Sequence, residues 1–188
     1  MKTIVAIGLA LLTSPALAGE ITGKVTAGKG GGGILVYVVK ADGQFSPSEK
    51  PAVMDQKHME FAPYVLPVLV GTTVTFKNSD NVAHNVFSPD GAGYNLGTFP
   101  PGESRTQVFK EAGIYTQLCS LHPEMEGYVV ALQNSYYAVT KADGSYTIKN
   151  VPDGQYQVRA IGKTVKKKDR KKDFPVTVAG TTTLALEF

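Results

Sequence analysis

One short segment of the chain carries three side chains that bind soft metal ions. Cys119, His122 and Met125 follow one another at intervals of three residues, so a single tight loop can direct all three at one point. A second imidazole, that of His84, must then arrive from a distant strand. One thiolate, two imidazoles and a weak axial thioether suit a copper ion that is stable as both Cu(I) and Cu(II). These residue types and their spacing predict a blue-copper electron-transfer site.

Two alternatives for these residues are less well supported. Zinc competes chemically for the same ligands, but structural zinc sites favour further Cys or His ligands over Met. Cys119 is the only cysteine of the chain, and a buried, inert thiol is the plainer interpretation of a lone cysteine. The neighbouring His122 and Met125 favour a metal ligand instead. The only other histidine, His58, offers with Met59 a second, weak copper site, although an exposed histidine at a strand edge is the favoured interpretation.

The first 18 residues have the composition of a secretory signal peptide. Lys2 supplies the positive charge, residues 4–12 the apolar run, and residues 16–18 a cleavage motif of small residues. The apolar run is too short to span a bilayer, and no later stretch is apolar enough for a membrane helix. We therefore expect a mature chain that begins at Gly19 and resides in the periplasm.

Composition and charge indicate an all-β chain of two units. Gly and Pro number 20 and 11 of 188 residues, turn dipeptides recur, and no window shows a sustained helical period. Residues 51–132 carry eight acidic and four basic side chains, whereas residues 133–188 carry ten basic and five acidic ones. Short strands every 8–12 residues predict β-sandwiches. The glycine-rich stretch 28–33 and the turns at 142–144 and 152–154 are predicted to close hairpins.

Residues 51–132 resemble a minimal cupredoxin, a Greek-key β-sandwich of the amicyanin, pseudoazurin and plastocyanin type. The resemblance rests on residues 61–63, 68–78, 84–86, 109–113 and 119–125, which follow in the order of that family. It implies one type 1 copper with His84, Cys119 and His122 as equatorial ligands and Met125 as the axial ligand, His84 binding through Nδ1. It also implies that Asn85 ties the strand of the first histidine to the cysteine loop. Residues 54–61 resemble the segment that enters this unit in periplasmic proteins described as methylamine-utilisation-like.

The same resemblance implies a one-electron carrier. In cupredoxins the loop histidine reaches through an apolar patch, which Leu121 and Pro123 would form around His122. The partners expected are a c-type cytochrome or a periplasmic dehydrogenase, and neither nucleic acid nor a membrane span is expected. A copper-binding protein for copper delivery or tolerance is the alternative. An enzyme is not expected, because a complete ligand set leaves no open coordination position.

A second resemblance concerns the two ends of the chain. Residues 21–26 with 36–38, and residues 138–148 with 151–156, resemble transthyretin-like, carboxypeptidase-regulatory-like β-sandwiches. Because these pieces flank the copper segment, we expect a split sandwich of residues 19–50 plus 133–188, interrupted by the cupredoxin at 51–132. The N-terminal strands could instead extend the sheet of the cupredoxin. In a further alternative the transthyretin-like part is a surface-binding or adhesion module and carries the main function.

The segment 163–172 is strongly basic. It holds seven Lys or Arg residues opposed only by Asp169. Like charges at this density repel one another and predict a solvated hairpin tip. The functional alternative is a docking site for an acidic partner or an anionic membrane surface, weakened by salt.

Overall fold

The computed structural model describes residues 18–28 and 30–188, which form an almost entirely β fold. The predicted signal peptide therefore lies outside the described residues, apart from Ala18. Within the described part of the chain the strands are β1 (Ala18–Thr26), β2 (Leu35–Val38), β3 (Ala52–Lys57), β4 (Glu60–Ala62), β5 (Val65–Leu69), β6 (Thr73–Asn78), β7 (His84–Ser88), β8 (Tyr94–Phe99), β9 (Ser104–Val108), β10 (Gly113–Leu118), β11 (Glu126–Leu132), β12 (Tyr137–Val139), β13 (Ser145–Pro152), β14 (Gly154–Ile161), β15 (Phe174–Val178), β16 (Thr181–Thr183) and β17 (Leu186–Glu187). One short 3₁₀ turn spans Lys167–Asp169. None of the described residues form a helix long and apolar enough to cross a membrane.

Strands β3 to β11 form two facing sheets. One has the order β5-β11-β10-β7-β8 and the other the order β4-β3-β6-β9. The side chains between them alternate along each strand, so every second residue enters a shared core. That core contains Met54, Phe61, Val74, Phe76, Val86, Phe99, Phe109 and Val129, together with Cys119 and Met125. The predicted all-β sandwich is confirmed, and two of the four proposed metal ligands lie at the edge of its core.

The strands from the two ends of the chain pair with one another. Strand β1 lies between β13 and β16 and also pairs with β17, while a second sheet has the order β12-β2-β14-β15. A separate core fills the space between these sheets, with Ile21, Val36, Ile148, Val158 and Leu186 among its buried side chains.

The three predicted hairpins are wrong. Strands β1 and β2, β12 and β13, and β13 and β14 each lie in different sheets, so the turns between them cross from one sheet to the other. Gly144 adopts the positive φ of 84° that its turn requires, and its carbonyl accepts a hydrogen bond from the Val25 N–H at 2.9 Å. Asp-Gly chemistry supplies a turn, but it does not determine which strands pair on either side of it.

A third buried cluster joins the two pairs of sheets. Leu35, Tyr37 and Ile161 from the terminal strands pack with Val65, Tyr128, Val130 and Leu132 from the central ones. At the border of this cluster lies Arg170, which is 8% exposed. Its guanidinium lies 4.3 Å from the centroid of the Tyr128 ring and donates a hydrogen bond to the Tyr128 hydroxyl.

The basic segment 163–172 is only partly the solvated tip that its charge predicts. It connects β14 to β15, which pair as a hairpin, but several of its charges contact the central strands. Lys167 Nζ lies 2.5 Å from the Glu126 carboxylate and Lys163 Nζ lies 2.9 Å from that of Glu60. Repulsion within the segment is therefore offset by acids that are distant in sequence.

Glu126 is expected to make the stability of the protein sensitive to acid. Burial raises its pKa, but hydrogen bonds from Lys167, Tyr128 and Tyr64 together hold the pKa below its ordinary value. A lowered pKa in the folded state contributes stability above the ordinary Glu value, and this contribution is lost as the pH falls through the folded value. Glu126→Gln should therefore lose less stability than the wild type as the pH falls from about 6 to about 2 in urea unfolding. The control is Glu124→Gln, which changes an exposed carboxylate two residues away. An equal acid dependence of wild type and Glu126→Gln would contradict the prediction.

Candidate metal centre

Two neighbouring strands and one loop bring the candidate ligands together. His84 is the first residue of β7, and Cys119 directly follows β10. These strands are neighbours in the five-stranded sheet, with Leu118 opposite Phe87. His122 lies in the short loop between β10 and β11. The adjacency of β7 and β10 therefore supplies the second imidazole that the loop lacks.

The donor atoms of three residues converge on one point. The two Nδ1 atoms of His84 and His122 are 3.1 Å apart, and the Cys119 Sγ lies 4.0 Å and 3.7 Å from them respectively. These three residues form the one cluster of His, Cys, Asp and Glu donors suited to a metal ion among the residues that the structure describes. A point about 2 Å from all three atoms lies within their triangle, close to the length of metal bonds to imidazole nitrogen and thiolate sulfur. The three side chains therefore fit a metal ion.

Met125 closes the same loop. Its N–H donates to the His122 carbonyl at 3.0 Å, and its side chain is 1% exposed within the core that also contains Cys119. The Met125 thioether is therefore buried in the same core as the Cys119 sulfur and shielded from water.

The centre is buried except on the side of the loop histidine. His84 and Cys119 are 0% and 3% exposed, whereas His122 is partly exposed. Leu121 is 48% exposed and Pro123 is also exposed. Leu121 and Pro123 thus place exposed apolar side chains directly before and after His122 in the loop.

Asn85 links the two parts of the chain that carry the ligands. Its backbone N–H donates to the Cys119 Sγ at 3.4 Å. Its side-chain oxygen accepts from the Ser120 N–H at 3.3 Å and from the Ser120 hydroxyl at 3.0 Å, while its amide nitrogen donates to Asn95 at 2.9 Å. These bonds hold the cysteine loop against β7 and place a donor on the sulfur, which stabilises a thiolate.

Asp80 contacts the centre, although no sequence pattern identified it. Its Oδ2 lies 2.9 Å from the His84 Nε2. Burial raises the pKa of Asp80, but hydrogen bonds from the Met59 N–H, the His84 ring and the His58 N–H together hold it below its ordinary value. The only sequence signal was an acidic residue four positions before a candidate histidine ligand, and this spacing is too common to be informative by itself.

His58 does not belong to the three-residue donor cluster. It is exposed and lies in the turn between β3 and β4 with a φ of 57°, rather than at a strand edge as the sequence predicts.

Comparison with known proteins agrees with this geometry. The family of copper binding proteins of the plastocyanin/azurin type matches residues 49–132. A purple cupredoxin from Nitrosopumilus maritimus is 32% identical, with 43% of this chain and 98% of that chain covered and a TM-score of 0.39. A reduced amicyanin variant is 30% identical, with 46% and 91% covered and a TM-score of 0.42. No curated protein sequence matches the chain. The predicted cupredoxin resemblance and the copper cofactor are confirmed.

The expectation that this centre excludes an enzyme is wrong. A copper-containing nitrite reductase from Thermus scotoductus is 26% identical, with 51% of this chain and 25% of that chain covered and a TM-score of 0.44. A complete ligand set describes the coordination of one ion only. It carries no information on reactions at other sites of the same protein, so it was not a valid reason to exclude an enzyme.

Proposed function

The chain belongs, through residues 49–132, to the plastocyanin/azurin family of copper-binding proteins, and from that premise we propose that it is a periplasmic one-electron carrier. Its copper would alternate between Cu(I) and Cu(II) at His84, Cys119 and His122, with Met125 as the axial ligand. Export would depend on residues 1–18. The observation that carries the proposal is the convergence of two Nδ1 atoms and the Cys119 sulfur at a place that is buried except beside His122. Hydrogen bonds with Asp80 and Asn85 hold the His84 and Cys119 side chains, so we expect the geometry to change little when the charge of the ion changes.

The test is addition of Cu(II) to the purified protein. We expect an intense visible band from charge transfer between thiolate and copper, one copper per chain, and a reversible reduction potential with rapid electron self-exchange. A colourless copper complex would contradict the proposal. Rapid transfer of the copper to an acceptor protein would instead favour copper delivery. The burial of His84 and Cys119 opposes such release.

The surface around His122 suits a transient redox partner such as a c-type cytochrome or a periplasmic dehydrogenase. Leu121 and Pro123 supply a small apolar patch, and small patches allow a partner to dock and depart.

The basic segment 163–172 offers a second contact surface. Four of its lysines make no ion pair in the described part of the chain and remain available to an acidic partner: Lys166, Lys168, Lys171 and Lys172. We expect electron transfer to an acidic partner to slow as the ionic strength rises, measured by stopped-flow absorbance.

The reduction potential should report the axial ligand. Met125→Gln replaces a thioether with a harder oxygen ligand, which favours Cu(II), so the potential should fall while a coloured site is retained. Cyclic voltammetry of the wild type and the variant measures the change. Met59→Gln, which alters a methionine in the turn between β3 and β4, is the control and should leave the potential unchanged. An unchanged or higher reduction potential in Met125→Gln would show that Met125 is not a copper ligand.

We also propose that residues 19–50 and 133–188 form one split transthyretin-like domain. The pairing of β1 with β13 and of β2 with β14 supports this proposal, as does the core that these strands enclose. Hydrogen exchange in the presence and absence of copper tests it. Copper should increase amide protection mainly in β7, β10 and β11, and less in β1 and β13. Equal protection throughout would support the alternative of one continuous unit.

A further inference from the structure

The turn between β3 and β4 presents two backbone donors to a single carboxylate. The His58 N–H donates to the Asp80 Oδ1 at 2.6 Å, and the Met59 N–H donates to the Asp80 Oδ2 at 3.0 Å. His58 and Met59 have φ values of 57° and 62°, a conformation that side chains other than Gly, Asn and Asp rarely adopt. Successive N–H groups in turns of this kind form a concave site for an anion. Here the anion is the Asp80 side chain.

Further bonds fix the loop that carries Asp80. The Ser79 N–H donates to the Gln56 carbonyl at 3.0 Å, and the Asp80 N–H donates to the Asn78 side-chain oxygen at 3.1 Å. The Asn78 amide in turn donates to the carbonyls of Val82 and Phe99 at 2.9 Å and 3.2 Å. Asp80 is therefore held both at its backbone N–H and at its two carboxylate oxygens. Its side chain has little freedom to rotate away from His84.

The Asp80 Oδ2 that accepts from Met59 also lies 2.9 Å from the Nε2 of the fully buried His84. Both oxygens of Asp80 accept hydrogen bonds from backbone N–H groups, so this carboxylate acts as an acceptor and the ring supplies the hydrogen at Nε2. In the neutral ring the lone pair then lies on Nδ1, the atom that faces His122 and Cys119.

We propose that Asp80, held by the backbone of the turn at His58 and Met59, is a positioning residue that fixes the tautomer and orientation of His84 and lowers the reduction potential of the copper. The first effect belongs to the protein without metal. The second rests on the proposed function, and it follows because a carboxylate on the far nitrogen makes the imidazole a stronger donor, which favours Cu(II) over Cu(I). The turn at His58 and Met59 then acts through its main-chain N–H groups and not through its side chains.

The first test uses the copper-free protein and nitrogen NMR of the histidine rings. In the wild type the His84 Nε2 should carry the proton. Asp80→Ala should give a mixture of the two neutral tautomers, and Asp80→Asn should retain the wild-type tautomer, because an amide oxygen still accepts from Nε2. An unchanged tautomer in Asp80→Ala would overturn the proposal. The result of this measurement does not depend on whether the protein transfers electrons, so it tests the role of Asp80 separately from the proposed function.

The second test uses the copper-loaded protein. Asp80→Asn should raise the reduction potential, and Asp80→Ala should weaken copper binding by about 10- to 100-fold. Glu124→Gln removes the same charge from an exposed position in the ligand loop and should change the potential much less. If Asp80→Asn and Glu124→Gln shift the reduction potential equally, the shift comes from the change in net charge alone. That result would overturn the specific role of Asp80.

The third test separates the main chain of the turn from its side chains. His58→Gly and Met59→Gly retain both N–H donors and adopt positive φ without strain, so the potential and the binding of one copper should equal those of the wild type. A change of potential, or loss of a second bound copper in His58→Gly, would show that the side chains carry the effect and would contradict the proposal.

Discussion

Replacement of the single thiol, Cys119→Ser, is expected to abolish the intense visible absorption of the copper-loaded protein completely. The band requires a thiolate bonded to Cu(II), and Cys119 is the only cysteine of the chain. A serine hydroxyl at the same place is a hard and weakly acidic ligand, so any copper that remains should be held by the imidazoles alone. Optical and electron paramagnetic resonance spectra measure the change.

A neighbouring substitution serves as the matched control. Ser120→Ala removes a hydroxyl that donates to the Asn85 side-chain oxygen at 3.0 Å, but it leaves the Ser120 N–H bond and all four candidate ligands in place. The band should persist, with at most a small displacement. A coloured Cys119→Ser protein would show that the absorption does not come from this sulfur, and the assignment of the centre would be wrong.

The ligand loop was predictable because its information is local. Cys119, His122 and Met125 follow within seven residues, so almost any tight loop brings them together. His84 could be named as the second imidazole, but its place beside the loop depends on β7 pairing with β10. Asp80 was not predicted because its role depends on the left-handed turn at residues 58–59, between β3 and β4 of the facing sheet. Neither turn conformation nor inter-strand register can be read from the residue types alone.

The errors in the fold have a similar cause. The turns at 142–144 and 152–154 were identified correctly as turns, but the partners of their flanking strands depend on tertiary packing. The charge pattern of the basic segment shows only the repulsion within it. The acids that offset it, Glu60 and Glu126, lie far away in sequence. Long-range charge pairing is therefore the part of this molecule that local patterns describe least well.

The second large effect is expected at Arg170. Its guanidinium is nearly buried, lies over the Tyr128 ring, donates to the Tyr128 hydroxyl, and donates through Nε to the Val165 carbonyl at 3.3 Å. Arg170→Ala removes the hydrogen bonds and the packing of the stem at once and leaves Tyr128 without its donor. We expect a loss of about 2–4 kcal/mol in the free energy of unfolding.

The experiment is denaturant unfolding of the copper-free protein, with Lys168→Ala as the matched control. Lys168 lies in the same segment and has the same charge, but it is exposed, so its loss should cost less than about 0.5 kcal/mol. Arg170→Met retains an apolar stem and should lie between the two. If Arg170→Ala and Lys168→Ala lose equal stability, the contacts of Arg170 contribute nothing. If only Arg170→Ala is destabilised, one cation of the basic segment holds the terminal strands against the strand that follows the copper ligands.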